Sequence, residues 1–161
     1  MSGDSPQTCL GSQRDRAELI ELGHVTDRKP PFRYSAYARV GFSDTDAQGV
    51  VYYGRYMPYF DLARTEYHRH LQLRGAELAM RAVTVEYEAP ARFDDLLEIF
   101  VRVERIGTTS ISYDHAAYRV EDDELMATAK GTLVCIDLAE RRSVPVPAEF
   151  RAQVEAFERA K

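Results

Sequence analysis

The residues with the most chemistry per position stand at 44–49, Asp-Thr-Asp-Ala-Gln-Gly. Two carboxylates two apart, followed by an amide and a glycine, resemble the start of a calcium loop. Such a loop needs a bidentate glutamate at its twelfth position, and counting from Asp44 puts Arg55 there. Val50 to Tyr53 is also too apolar to ligate, and the element before the loop reads as a strand where a helix is required. A second reading is a phosphoryl-transfer site, with one nucleophilic carboxylate, one partner acid and magnesium. That chemistry usually sits on alternating strands and helices, whereas the sequence after residue 80 is nearly all strand.

A third reading needs one acid only. Gly49 allows a tight turn, and a helix beginning near Tyr53 or Gly54 would aim free N–H groups at the loop. Those donors and the positive end of the helix could hold an oxyanion while a carboxylate attacks an acyl carbon or activates water. The same pattern also fits two aspartates that merely cap turns. Residue physics alone weighs turn-capping and catalysis evenly.

The elements that position this loop follow from period and punctuation. Tyr34 to Phe42 is strand-like. Tyr52 to Leu73 reads as a helix, with Tyr56, Phe60, Ala63, Tyr67 and Leu71 on one stripe, Arg64, Glu66 and Arg69 off it, and Gly75 after its end. Alternation then predicts strands around Val83–Ala89, Leu97–Val103, Ser110–Val120 and Leu125–Leu138, with a short helix near 148–159. The first strand is expected to be half-buried. The turns fall at Arg92–Asp95, Ile106–Thr109 and Glu121–Glu124. One helix covering an antiparallel sheet gives an α+β class. Residues 1–31 are polar, end at Pro30-Pro31, and read as a tail with a possible short helix over 14–22; residues 32–161 form the domain.

Composition narrows the function classes. A chain of 161 residues with 45% hydrophobic content suits one globular domain. A net charge of −5 argues against nucleic acid as a partner, and no apolar run is long enough to span a membrane. The N-terminus lacks the apolar stretch of a signal peptide. Cys9 and Cys135 make neither a disulfide framework nor a zinc site, so a cytoplasmic setting is expected, with Cys135 a small buried hydrophobe. His68 and His70 lie two apart on the helix, which suits surface positions better than a shared metal. His115 lies in a strand and could line a pocket; His24 falls in the tail.

Two segments carry a resemblance: FSDTDAQGVVYYGRYMPYFDLARTEYHRHL and VTVEYEAPARFDDLLEIFVRVERIGTTSISY. Over roughly residues 35–150 the chain resembles the 4-hydroxybenzoyl-CoA thioesterase family of hotdog-fold acyl-CoA thioesterases, including its YbgC-like branch. The resemblance implies a hotdog fold, a long central helix wrapped by a curved five-stranded antiparallel sheet. It further implies a dimer whose sheets join, often paired into a homotetramer. It maps the catalytic carboxylate onto Asp46 and the N–H that polarises the thioester carbonyl onto Tyr53, with Gly49, Val50 and Gly54 next to the substrate. Asp44 then shapes the turn.

The chain departs from many YbgC-like members in carrying Phe42 and Tyr53 where they have tyrosine and histidine. Tyr53 donates a proton less readily near neutral pH, so the implied mechanism is the lone aspartate with a helix-end donor. Glu66 is a minor candidate at the thioester and is otherwise a solvated helix acid. Arg142, with Arg141 beside it, is the implied contact for the CoA nucleotide, and Arg92 is a weaker one. Gly107-Thr108-Thr109 lacks a basic cluster, which leaves an acyl carrier protein open as the acyl donor. No metal or cofactor is expected. A non-catalytic acyl-CoA-binding protein is the alternative of a different class, against which Asp46 speaks.

Overall fold

The computed structural model describes residues 21–160. Strands β1 (Gly23–Val25), β2 (Tyr34–Arg39), β3 (Leu78–Tyr87), β4 (Leu96–Ile106), β5 (Ser110–Arg119) and β6 (Glu124–Asp137) form one sheet. Its order is β1-β2-β4-β5-β6-β3, and a short β7 (Arg142–Ser143) pairs with β6. Every pairing is antiparallel. Helix α1 (Tyr56–His70) lies on one face, and α2 (Ala148–Arg159) closes the chain. Five long strands around one long helix is the expected arrangement, with β1 and β7 added to it.

Helix α1 forms because large apolar side chains recur at helical spacing and meet the sheet. Tyr56, Tyr59, Phe60, Ala63 and Tyr67 are buried, against Ile99, Val101, Tyr113 and Ala127 in one core. Glu66 belongs to this buried face, a correction to its reading as a solvated acid. Its carboxylate accepts from the Leu22 N–H and from Arg69 (3.2 Å each), which offsets the cost of burial.

The tail was expected to run to residue 31, but Gly23–Val25 pairs with β2; residues 1–20 lie outside the described part, and with them most of the expected 14–22 helix. Residues 26–33 cross the outer face of β4. Arg28 pairs with Glu98 there, and Phe32 packs on Phe100 with ring centroids 5.9 Å apart. Glu98 and Phe100 are therefore buried although alternation pointed them outward.

Strand β3 is an edge strand. It is mostly exposed rather than half-buried, and Met80, Val83 and Tyr87 are each at least 40% open to solvent. Among the described residues no helix is long and apolar enough to cross a membrane.

Candidate active site

The loop between β2 and α1 is a tight hairpin held by its own backbone. Asp46 N–H donates to Val50 O (2.9 Å), Gly49 N–H to Asp46 O (3.0 Å) and Tyr52 N–H to Asp44 O (2.9 Å). Gly49 has φ of 78°, the left-handed conformation that this turn needs and that glycine adopts without cost. Val51 N–H reaches Ala91 O (2.8 Å) and Val50 bridges Arg92, so the loop rests on the segment after β3.

The two aspartates have different surroundings. Asp44 Oδ2 accepts from Gly41 N–H (2.9 Å) and from the Tyr59 hydroxyl (2.7 Å), so its carboxylate fastens the loop to α1. Burial, and then this carboxylate, raise the pKa of Tyr59, which keeps the phenol protonated and donating. Asp46 is exposed. Its Oδ1 accepts from Gln48 N–H (2.8 Å), which fixes the carboxylate's direction, and no other hydrogen bond engages it among the described residues.

A short 3-10 turn, Tyr53–Arg55, runs directly into α1. Arg55 N–H is used by Tyr52 O (2.8 Å). The N–H groups of Tyr53 and Gly54 open the turn, where no intrahelical acceptor exists. Tyr87 of β3 donates its hydroxyl to Tyr53 O (3.0 Å) and ties the helix start to the sheet edge. The Tyr53 ring itself is 63% exposed.

The structure thus brings Asp46, Gly49, Val50, Tyr53 and Gly54 into one hairpin and helix start. It places two other candidates elsewhere. Glu66 lies twelve residues past Gly54, roughly 18 Å along the axis at 1.5 Å per residue. Arg142 and Arg141 sit at the β6–β7 hairpin, beside the start of β3, while Tyr53 is tied to its end. Arg92 is the basic residue that backbone pairing sets beside the loop.

His68 is a correction: its Nε2 lies 2.7 Å from the Tyr113 hydroxyl, and burial pushes its pKa down to about 4. His70 is also partly covered, over the Tyr34 ring at 5.1 Å. Sequence reasoning missed the roles of Tyr59 and Tyr87. Tyr59 stands three residues after Tyr56, so a wider helix stripe contains it. Among the described residues no group of three or more His, Cys, Asp or Glu is arranged to hold a metal ion.

Residues 40–154 match the model of the thioesterase-like superfamily. The chain belongs to that superfamily. Its architecture is the hotdog fold. The acyl-CoA thioester hydrolase YbgC of Escherichia coli O157:H7 is 34% identical over 122 residues, spanning 71% of this chain and 90% of that protein. The acyl-CoA thioesterase YbgC of Haemophilus influenzae is 32% identical over 127 residues, 74% of this chain and 92% of that one. A Thermus thermophilus thioesterase, solved with coenzyme A and Zn, superposes with a TM-score of 0.73 at 25% identity. That superposition covers 83% of this chain and all of the Thermus chain.

Proposed function

We propose that this protein is an acyl-CoA thioesterase that hydrolyses a thioester to a free acid and CoA. The observation that carries the reading is Asp46: an exposed carboxylate, held by one oxygen and free at the other, next to a helix start with unused N–H donors. The relatives named as acyl-CoA thioester hydrolases support the substrate class.

The thioester carbonyl oxygen receives the Tyr53 and Gly54 N–H groups, which stabilise the charge that develops on it. Asp46 then takes one of two routes. As nucleophile it bonds to the acyl carbon, the C–S bond breaks, CoA leaves as thiolate, and water cleaves the resulting anhydride to return the carboxylate. As general base it removes a proton from water, whose oxygen attacks the same carbon. Both routes consume one water and leave acid and thiol. Asp44 and Tyr59 hold the loop in register with the helix. Phe42 is 79% exposed and its side chain has no hydrogen-bonding group, so that side chain takes no part in proton transfer.

The working form is a dimer joined along β3, whose exposed Met80, Val83 and Tyr87 support it. Antiparallel pairing of two β3 edges brings the β6–β7 hairpin of a second copy, with its arginines, toward this loop, where the CoA nucleotide needs cations. The buried thiol of Cys135 suits a reducing cytoplasm.

A free-thiol assay across aryl, short-chain and long-chain acyl-CoAs, alongside the same acyl groups on carrier protein, tests the reading. Asp46→Asn is expected to lose at least about 100-fold in kcat on the best substrate. Near-full activity in that variant would sink the mechanism, and faster turnover of carrier-linked acyl groups would reassign the donor.

A further inference from the structure

Tyr53 N–H and Gly54 N–H belong to successive peptide groups, each conjugated with the carbonyl of the residue before it. What those carbonyls accept therefore sets how strongly the two N–H groups donate. Tyr52 O, conjugated with the Tyr53 N–H, accepts from the Arg55 N–H at 2.8 Å. Tyr53 O, conjugated with the Gly54 N–H, accepts twice: from the Tyr56 N–H within the turn and from the Tyr87 hydroxyl at 3.0 Å. The second of these donors comes from outside the helix.

Tyr87 is well mounted for this contact. It is the last residue of β3, opposite Ala127 of β6, and its ring meets that of Tyr56 edge-on with centroids 5.5 Å apart. Tyr87 is 48% exposed, so water could satisfy its hydroxyl. The one O–H is nevertheless spent on a backbone carbonyl at the helix start, thirty-four residues earlier.

We infer that Tyr87 is a positioning residue of the oxyanion site, acting through the Tyr53–Gly54 peptide to aim and strengthen the Gly54 N–H. The inference rests on the thioesterase reading above and adds a residue to it. Tyr87 touches no reacting atom. It acts on the donor that does.

The first effect is direction. In a trans peptide the C=O and N–H point opposite ways. Tyr53 O faces along the turn towards the Tyr56 N–H, so the Gly54 N–H points back out of the helix start. Two donors on one carbonyl hold that plane. Glycine also leaves the N–H uncovered, since a side chain at 54 would begin 3.1 Å from the Tyr52 ring. The second effect is charge. A donor on the carbonyl oxygen draws electron density from the nitrogen and strengthens its N–H by about 10–30%. One oxyanion donor is worth about 10²–10³ in rate, and that share of its free energy is about twofold to eightfold. The gain grows with the charge on the acceptor, so it favours the transition state over the bound thioester.

The test is Tyr87→Phe, which keeps the ring against Tyr56 and removes only the hydroxyl. On the best acyl-CoA, kcat is expected to fall about twofold to eightfold with KM less affected. Tyr87 lies on the β3 edge, so sedimentation accompanies the assay and should match the wild type. Infrared difference spectra of an acyl-CoA with an isotope-labelled carbonyl read the polarisation directly. They compare Asp46→Asn, where turnover is blocked, with the double variant Asp46→Asn/Tyr87→Phe. The bound carbonyl should stretch at higher frequency in the double variant, nearer to its value in free substrate. An unchanged frequency overturns the inference even where kcat falls, because the hydroxyl then only holds the fold. A loss of kcat that comes only with dissociation of the assembly overturns it as well. A frequency shift in a protein that hydrolyses no thioester keeps the role of Tyr87 and removes the hydrolase. Hydrolysis with neither a shift nor a loss of kcat does the reverse.

Discussion

His68 and His115 should make the fold acid-labile above the range where carboxylates titrate. Burial, then the charge of Arg64, hold their pKa values near about 4 and about 3 in the folded chain, against 6.5 when exposed. A histidine with a depressed folded pKa stays neutral in the fold, while the unfolded chain takes up its proton below pH 6.5. The unfolded state therefore binds more protons, and stability falls as the pH drops from about 6.5 towards 4. Each histidine contributes about 1.4 kcal/mol per pH unit inside that window. Summed for both, the loss between pH 7.5 and 5 is about 4 kcal/mol, a large share of the roughly 5–15 kcal/mol that holds a domain together. The result depends little on the exact folded values, provided both lie below 5. Glu158 works in the opposite sense, because burial raises its pKa, and it acts at the lower end of the window. Urea unfolding at fixed protein concentration, at pH 7.5, 6 and 5, measures the slope. His68→Gln should cut the loss to about 2 kcal/mol, since one titrating group remains. A stability that is flat over this range, or a slope unchanged in His68→Gln, refutes the reasoning.

Tyr59→Phe removes a 2.7 Å hydrogen bond to the Asp44 carboxylate and leaves Asp44 only the Gly41 N–H. Thermal unfolding should show a loss of about 1.5–3 kcal/mol, and steady-state assays a fall in kcat of about tenfold with KM less affected. Two glycine substitutions should separate crowding from backbone strain. Gly23→Ala would set a methyl 2.5 Å from the Tyr34 hydroxyl and 2.7 Å from Ser35 O, detaching β1 at a cost of about 1–3 kcal/mol in urea unfolding. Gly49→Ala meets no atom within 4 Å and should lose only the 1–2 kcal/mol or so of its left-handed backbone. Val83→Asp puts a charge on the exposed β3 edge, and sedimentation should show the dimer giving way to monomer together with a loss of activity.

Period and punctuation made the elements legible. The strand after residue 123, the closing helix at 148–159 and the helix through Tyr56, Phe60, Ala63 and Tyr67 all stand where spacing placed them. Burial was legible only where it depends on the element's own neighbours. Glu98 and Phe100 are covered by residues about seventy positions earlier, and Glu66 is capped from Leu22, forty-four away. Alternation within a strand carries no trace of such partners. Strand β3 misled for the opposite reason. Its apolar residues read as half-buried, but they lie on the open edge of the sheet, where the chain has no further strand to cover them among the described residues. His68 was placed at the surface because it and His70, two apart on the helix, point in different directions, while its own ring reaches Tyr113.

The doubled aspartate is where sequence and structure together say more than either does alone. Spacing cannot tell which carboxylate reacts, since both could cap turns. The structure separates them by what each has left to offer. Asp44 spends one oxygen on Gly41 and Tyr59, and its backbone carbonyl on Tyr52, so moving it would release the loop from α1. Asp46 spends one oxygen on Gln48 and, on an exposed residue, makes no other side-chain hydrogen bond among the described residues. A reactive carboxylate needs that combination of fixed direction and an open lone pair. It follows that Asp44→Asn and Asp46→Asn should fail differently. The amide at 44 could still accept from Gly41 and Tyr59 through its oxygen, so stability and part of the activity should survive. The amide at 46 keeps the turn but has no basic oxygen to offer, so the fold should persist while turnover is lost. Equal losses of turnover in the two variants would mean that the acids act as a pair, and the division of labour drawn from their hydrogen bonds would be wrong.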